Sequence, residues 1–209
     1  MPELRPVALP PAERTVGQLV AESVRFYGDH FWPVLPLGLV LGAVDAAGLH
    51  RSVLVQTLIL WAFAPVFSVA YVWAATLVHK RPWSWPAFVA ALLVFLSFPI
   101  LVRLFLLPGL VWFALFGLAV PAAVAERLGV QSALRRGWQL ARADLVHVTA
   151  GLITLGLIYL VTRYALLVTI QQFGDQSQTA AGIIADLVLS PLVFIGAALL
   201  YVDQAARVK

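Results

Sequence analysis

Long apolar segments alternate with short polar ones along most of the chain. A helix needs about 20 residues to cross the ~30 Å hydrocarbon core of a bilayer. Strands of a membrane β-barrel would alternate apolar and polar residues, which these segments do not. The pattern therefore predicts an all-α polytopic membrane protein with six transmembrane helices, at about 31–49, 53–78, 87–107, 110–125, 145–170 and 180–201.

These spans define a single predicted domain over residues 15–204. Residues 1–14 are polar and rich in proline, and we expect them to form a flexible N-terminal segment. Residues 205–209 are expected to form a C-terminal tail. The first 30 residues contain no short apolar run before a small-residue cleavage site, so no cleavable signal peptide is expected.

The third and fourth apolar runs touch at Pro108-Gly109. Proline followed by glycine breaks a helix and favours a tight turn. The dipeptide therefore predicts a helical hairpin with its turn at these two residues, rather than one long helix.

Composition supports the membrane assignment and excludes several kinds of site. Hydrophobic residues make up 62% of the chain and charged residues 11%, whereas a soluble domain carries about 25% charged residues. A compact soluble protein and a disordered chain are both excluded. Because the chain has no cysteine, it has no disulfide framework, thiol nucleophile or iron–sulfur cluster.

Lysine and arginine predict the orientation. With six spans, eleven of the 14 basic residues fall on one side, in the N-terminal segment, the second and fourth loops and the C-terminal tail. The other side has only Arg51, and Arg103 and Arg163 fall inside spans. Positive charge accumulates on the cytoplasmic side of membrane proteins, so both termini are predicted to be cytoplasmic. The basic residues are spread among these segments, which argues against a nucleic-acid partner.

Two polar segments have helical amphipathic patterns, at residues 15–29 and 130–142. Such helices can lie in the headgroup plane, where their basic residues would meet anionic lipid of the inner leaflet. Either they act as elbows that orient the next span, or they form a regulatory lipid sensor; the first is favoured. An offset of 114 residues aligns 15–42 with 129–156, which is a weak indication of an internal repeat.

Four ionisable residues fall inside apolar spans: Asp45, Arg103, Arg163 and Asp186. Such a residue costs about 2.5–3.5 kcal/mol at a helix centre, so it is a functional candidate. At 1.5 Å per residue, all four lie in the outer half of the bilayer, Asp45 level with Arg103 and Arg163 level with Asp186. They form either a polar vestibule for an anion or lipid headgroup, or two structural ion pairs. Their zero net charge favours ion pairs.

The inner interface carries a second charged group, Glu126 with Arg135 and Arg136, which predicts a salt-bridge cluster. Asp144 and His147 are three residues apart and can face the same way, but a metal site needs three or more convergent ligands. No HExxH, G-x-S-x-G or phosphate-binding loop motif is present. We therefore expect no enzyme activity, catalytic residue, metal or cofactor.

Three stretches resemble a known family: TVGQLVAESVRFYGDHFWPVL, LLPGLVWFALFGLAVPAAVAE and GVQSALRRGWQLARAD. They are similar, in this order, to parts of the bacterial membrane-domain family named after glycerophosphoryl diester phosphodiesterases. Leu115 stands where that family often has a basic residue, and Gly137 where it usually has serine. The resemblance implies a standalone six-helix membrane module without a catalytic domain.

Together, the pattern and the resemblance predict a non-enzymatic protein of the bacterial inner membrane with a structural, accessory or envelope-homeostasis role. The alternative is a small permease or lipid-handling protein that uses the intramembrane charges. The expected partners are the bilayer itself, anionic headgroups at the inner face, and another membrane protein or a second copy of the chain.

Overall fold

The computed structural model describes residues 10–208, and the side chains of all of these except Arg103, Leu104, Leu106 and Asp175. Within this part the regular structure is helical throughout, as the apolar pattern predicts. Three short 3-10 segments lie at Pro11–Glu13, Leu35–Gly38 and Gln171–Phe173. The α-helices are α1 (Val16–Asp29), α2 (Phe31–Val34), α3 (Leu39–Gly48), α4 (Val53–Ala62), α5 (Ala64–His79), α6 (Trp85–Leu104), α7 (Leu106–Phe116), α8 (Ala119–Ala125), α9 (Val130–Ala143), α10 (Leu145–Ile170) and α11 (Asp175–Arg207).

Five or six helical segments of the described chain are long and apolar enough to cross a membrane. The sixth depends on α4 and α5, which pass this test together but are bent by 49°. The bend lies beside Pro65, in the first turn of α5, where the missing proline N–H interrupts the helical hydrogen-bond ladder. The other five segments are Phe31–Gly48, Trp85–Val102, Leu107–Ala125, Leu145–Phe173 and Gln176–Arg207.

The break between α6 and α7 corrects the predicted turn at Pro108-Gly109. The extended residue is Phe105 (φ −168°, ψ 147°), and Pro108 lies inside the first turn of α7. Proline is tolerated there because an N–H in the first turn has no partner within the helix. Gly109 has a different role from the one predicted: a β-carbon there would overlap the side chain of Val102 on α6, so glycine permits the two helices to approach closely.

The longest helix, α11, packs against α10 on one side and against α3 on another. Gly38 and Gly42 allow the backbone before and within α3 to approach α11. A β-carbon at Gly38 would overlap the carbonyl oxygen of Leu187, and one at Gly42 would lie 3.4 Å from that of Ile183. Small residues at such crossings are typical of close packing between membrane helices.

An aromatic core lies where α5, α6, α7 and α11 meet. Tyr71 is fully buried, and its ring centre lies 6.1 Å from Phe95, 5.8 Å from Phe113 and 6.3 Å from Phe194. Its hydroxyl donates to the carbonyl oxygen of Gly117 at 3.1 Å, so this buried polar group is satisfied.

The two segments aligned by the offset of 114 form helices with corresponding ends. Helix α1 and helix α9 are each 14 residues long, and each directly precedes a long apolar segment. Leu19 and Ser23 are buried in α1, and the residues aligned with them, Ala133 and Gly137, are buried in α9. The two segments therefore use the same face of the helix to pack on the rest of the bundle.

The described residues near both chain ends are part of the helical bundle. Residues 1–9 of the predicted flexible N-terminal segment and Lys209 lie outside the described residues. Arg14, which follows the first 3-10 segment, is hydrogen-bonded to Asp203 of α11. Helix α11 itself continues to Arg207, so residues 205–207 of the predicted tail are its last turn.

Candidate functional site

Arg163 on α10 lies between two carboxylates from different helices. Its Nε donates to Oδ1 of Asp186 on α11, and its Nη2 donates to Oδ2 of Asp45 on α3, both at 2.8 Å. The hydroxyl of Tyr159, one turn before Arg163, donates to the same Oδ1 of Asp186 at 2.5 Å. We call Asp45, Arg163 and Asp186 the acid triad.

The acid triad runs from the interior towards an open surface. The side chain of Asp186 is 2% exposed, that of Arg163 25% and that of Asp45 38%. Gly182, one turn before Asp186, lies beside both ion pairs: a β-carbon there would be in ordinary van der Waals contact, at 3.5 Å, with Arg163 Nη2 and Asp45 Oδ2. The two ion pairs therefore lie close to the backbone of α11.

A polar pocket of about 340 Å³ opens beside the exposed acid. Asp45, His50 and Gln56 contribute its polar side chains. The Gln56 amide donates to the carbonyl oxygens of Gly48 and Arg51, and these bonds hold the turn between α3 and α4 at the mouth of the pocket.

An apolar cavity of about 350 Å³ lies beside the buried acid. Tyr159, the hydroxyl partner of Asp186, is part of its wall. We call this cavity the aromatic chamber, because six of its lining residues are aromatic: Phe67, Phe95, Phe98, Phe113, Tyr159 and Phe194. The acid triad therefore lies between a polar pocket and an apolar chamber.

One polar side chain in the chamber wall is unsatisfied. Ser190, one turn after Asp186 on α11, is 2% exposed, and its hydroxyl has no hydrogen-bond partner among the described residues. An unpaired buried hydroxyl costs about 1–3 kcal/mol, so a ligand with an acceptor or donor in the chamber would recover that energy.

A second ion network joins the two chain ends to α10. Arg14 Nη1 donates to Asp203 Oδ1 at 3.1 Å. Arg207 donates through Nη1 to Asp144 Oδ2 at 2.6 Å and through Nη2 to the carbonyl oxygen of Arg14 at 2.7 Å. We call Arg14, Asp144, Asp203 and Arg207 the terminal network.

Two members of the predicted cluster, Glu126 and Arg136, form an ion pair, and the third, Arg135, lies apart from it. Arg136 Nε donates to Glu126 Oε1 at 2.9 Å, and the hydroxyl of Tyr201 donates to the same oxygen at 2.7 Å. Arg135 is exposed and has no ion pair among the described contacts. Successive helix residues point about 100° apart, so Arg135 and Arg136 cannot both face Glu126.

Asp45 pairs with Arg163. The side chain of Arg103 lies outside the described residues, so the depth match between Asp45 and Arg103 stays a prediction. The second depth match, Arg163 with Asp186, coincides with a hydrogen-bonded pair.

Asp144 and His147 are joined by a helix cap. Asp144 precedes α10, and its Oδ1 accepts a hydrogen bond from the backbone N–H of His147 at 3.0 Å, as an N-terminal cap does. The spacing of three residues between them thus has a structural cause. No group of three or more metal-ligating side chains occurs among the described residues.

Several participants in these networks were not among the residues predicted from the sequence. Tyr159 lies four residues before Arg163, so a search for polar residues on the same helix face would have found it. Arg14 and Asp203 are 189 positions apart, and no local pattern relates them.

Comparisons of this chain with protein-family models, curated proteins and solved structures give no match. The resemblance to the phosphodiesterase-associated membrane-domain family therefore stays a prediction.

Proposed function

We propose that this chain is a multi-pass protein of the bacterial inner membrane with six crossings, both termini in the cytoplasm and no enzymatic activity. The terminal network is the observation that carries the proposed topology. It joins Arg14, the α9–α10 junction at Asp144 and the last turn of α11 at Arg207. These are three of the segments in which basic residues accumulate, and an even number of crossings accounts for their meeting on one side.

We assign the protein a structural or accessory role in the envelope. Helix α11 is joined to α10 and to the N-terminal part of the chain twice, once through the acid triad and once through the terminal network. Contacts at two levels resist sliding or rocking of α11 against its neighbours, which suits a fixed scaffold. The resemblance to a family of standalone six-helix membrane modules supports this proposal.

A strain that lacks the chain tests this role. We expect raised uptake of a membrane-impermeant dye in that strain and recovery when the chain is supplied on a plasmid. Recovery should persist with His147→Gln, because the proposed role requires no acid–base chemistry from this residue. Normal dye exclusion without the chain would contradict an envelope role, and loss of recovery in a folded His147→Gln variant would favour an enzyme.

A second candidate function, a small permease or lipid-handling protein, is favoured by the polar pocket and the aromatic chamber on either side of the acid triad. Uptake into proteoliposomes separates it from a structural role. Solute uptake that depends on the chain and falls after Asp45→Asn would favour transport. Liposomes that remain tight with and without the chain would favour the structural role.

A further inference from the structure

We propose that the acid triad and the aromatic chamber together form a binding site for a hydrophobic organic cation. Its apolar body would occupy the chamber and its positive charge would lie near Asp45. This inference deepens the second candidate function but requires only binding, not transport.

The sign of the charge follows from the acid triad. Asp186 Oδ1 accepts hydrogen bonds from both Tyr159 and Arg163. Arg163 also pairs with Asp45, so among the described side chains two carboxylates share one guanidinium, and the acid triad has one carboxylate more than it has cations. This favours a cation over the anion or lipid headgroup considered from the sequence.

The negative charge is accessible at Asp45, the exposed member of the acid triad. The side chain of Asp45 is 38% exposed and is part of the wall of the polar pocket, whereas Asp186 is 2% exposed and already accepts two donors. A ligand cation therefore approaches Asp45 and leaves the buried Arg163–Asp186 pair intact.

The chamber has the size and chemistry of a small-ligand site. Its volume of about 350 Å³ falls within the range of roughly 300–1,000 Å³ of ligand pockets, which are mostly apolar and carry a few polar groups. Aromatic faces also attract cations, so its six rings suit a hydrophobic cation better than an anion of the same shape. The unpaired hydroxyl of Ser190 is a polar group in this wall whose partner is missing among the described residues.

The two parts of the site are connected by single residues. Tyr159 is a wall residue of the chamber and donates to the acid triad. On α3, Leu41 borders the chamber and Asp45, one turn later, borders the polar pocket. The chamber and the polar pocket therefore border α3 one helical turn apart, about 6 Å, which is the distance that the proposed cation would span between its apolar body and its charge.

A larger side chain at Gly156 should fill the chamber without disturbing the fold. It forms part of the chamber wall, and a β-carbon there would meet no atom within 4 Å. Gly156→Leu should therefore fill space that the ligand needs. Gly28 on α1 is also helical and open at this distance, so Gly28→Leu is a matched control away from the site.

The test is binding of 4-phenylbutyltrimethylammonium, which carries its charge at one end of an apolar body, to the chain in lipid nanodiscs, with empty nanodiscs as the baseline. Its counterpart is 4-phenylbutanesulfonate, which has a similar shape and the opposite charge. We expect saturable binding of the cation, none of the anion, at least a tenfold loss of affinity in Asp45→Asn, and recovery in Asp45→Glu. Gly156→Leu should abolish binding, whereas Gly28→Leu should bind like the parent.

Thermal unfolding of each variant shows whether it is folded. Absence of saturable cation binding, equal binding of the anion, or parent-like binding by folded Gly156→Leu would each overturn the site. Saturable binding without uptake into proteoliposomes would contradict the permease function and leave the binding site supported. Uptake that Gly156→Leu does not change would support a permease and contradict the binding site.

Discussion

The acid triad and the terminal network join α11 to its neighbours in similar ways, but their charges balance differently. Asp186 and Asp203 are 17 residues apart on α11, about 25 Å along the helix. In each network the acid on α11 is buried, with side-chain exposures of 2% and 0%, and a second acid is partly exposed, Asp45 at 38% and Asp144 at 34%.

The difference lies in the number of cations. In the terminal network each acid has its own arginine, Arg14 for Asp203 and Arg207 for Asp144. In the acid triad both carboxylates depend on Arg163. The terminal network has as many arginines as acids, whereas among the described side chains the acid triad has one carboxylate in excess, beside two cavities. The comparison teaches that the number of partners for each charge, more than its burial, distinguishes a structural contact from a candidate site.

Removing the shared cation should have the largest effect. Arg163→Leu leaves two carboxylates unpaired, one of them nearly fully buried, and breaking a buried pair this way costs about 3–5 kcal/mol. We expect loss of expression or a large drop in unfolding temperature in detergent. Adding Asp186→Leu should restore most of the stability, since it removes the buried orphan. A single variant as stable as the parent would contradict the importance of the triad.

The close approach of α3 to α11 should be almost as sensitive. Gly38→Ala forces a β-carbon into the carbonyl oxygen of Leu187, and overpacking of this kind costs about 1–3 kcal/mol or more. Gly156→Ala is the control, because a β-carbon there meets nothing within 4 Å. Urea or thermal unfolding should separate the two variants clearly; equal stability would mean that the helices can move apart at no cost.

Neutralising the buried acid of the terminal network should have a moderate effect. Asp203→Asn keeps an oxygen that can accept from Arg14, and the bond from Arg207 to the Arg14 carbonyl remains. We expect a loss of about 1–3 kcal/mol, smaller than for Arg163→Leu when measured in the same detergent. If the Asp203 variant were the less stable of the two, the order of importance assigned to the networks would be wrong.

The ion pair of Glu126 should contribute least. Its side chain is 33% exposed and that of Arg136 is 28% exposed, and exposed pairs contribute about 0–1 kcal/mol. Arg136→Gln should therefore lower stability by less than 1 kcal/mol, because Tyr201 still donates to the carboxylate. Arg135→Gln, the matched neighbour without an ion pair among the described contacts, should have no measurable effect.

Sequence patterns were most informative for structural features that one short segment determines by itself. Apolar runs of about 20 residues predict long helices because burial of the backbone in lipid requires internal hydrogen bonds. A charge inside such a run needs a partner, and this reasoning led to Asp45, Arg163 and Asp186.

Features set by tertiary contact could not be predicted in this way. Pro108-Gly109 favours a turn locally, but Pro108 fits equally well in the first turn of α7, and packing decides between the two. The bond between Arg14 and Asp203 depends on the path of the whole chain. The sharing of Arg163 between two acids likewise required the relative rotation of three helices.

In the proposed topology, the α10–α11 turn, near the acid triad, faces outward, while α9 and the terminal network face the cytoplasm. Because the chain has no cysteine, Gln172→Cys at that turn and Gln139→Cys on α9 form a matched pair at exposed glutamines. A membrane-impermeant maleimide should label Gln172→Cys in intact spheroplasts and Gln139→Cys only after permeabilisation. The reverse pattern, or labelling of both cysteines from outside, would contradict the account.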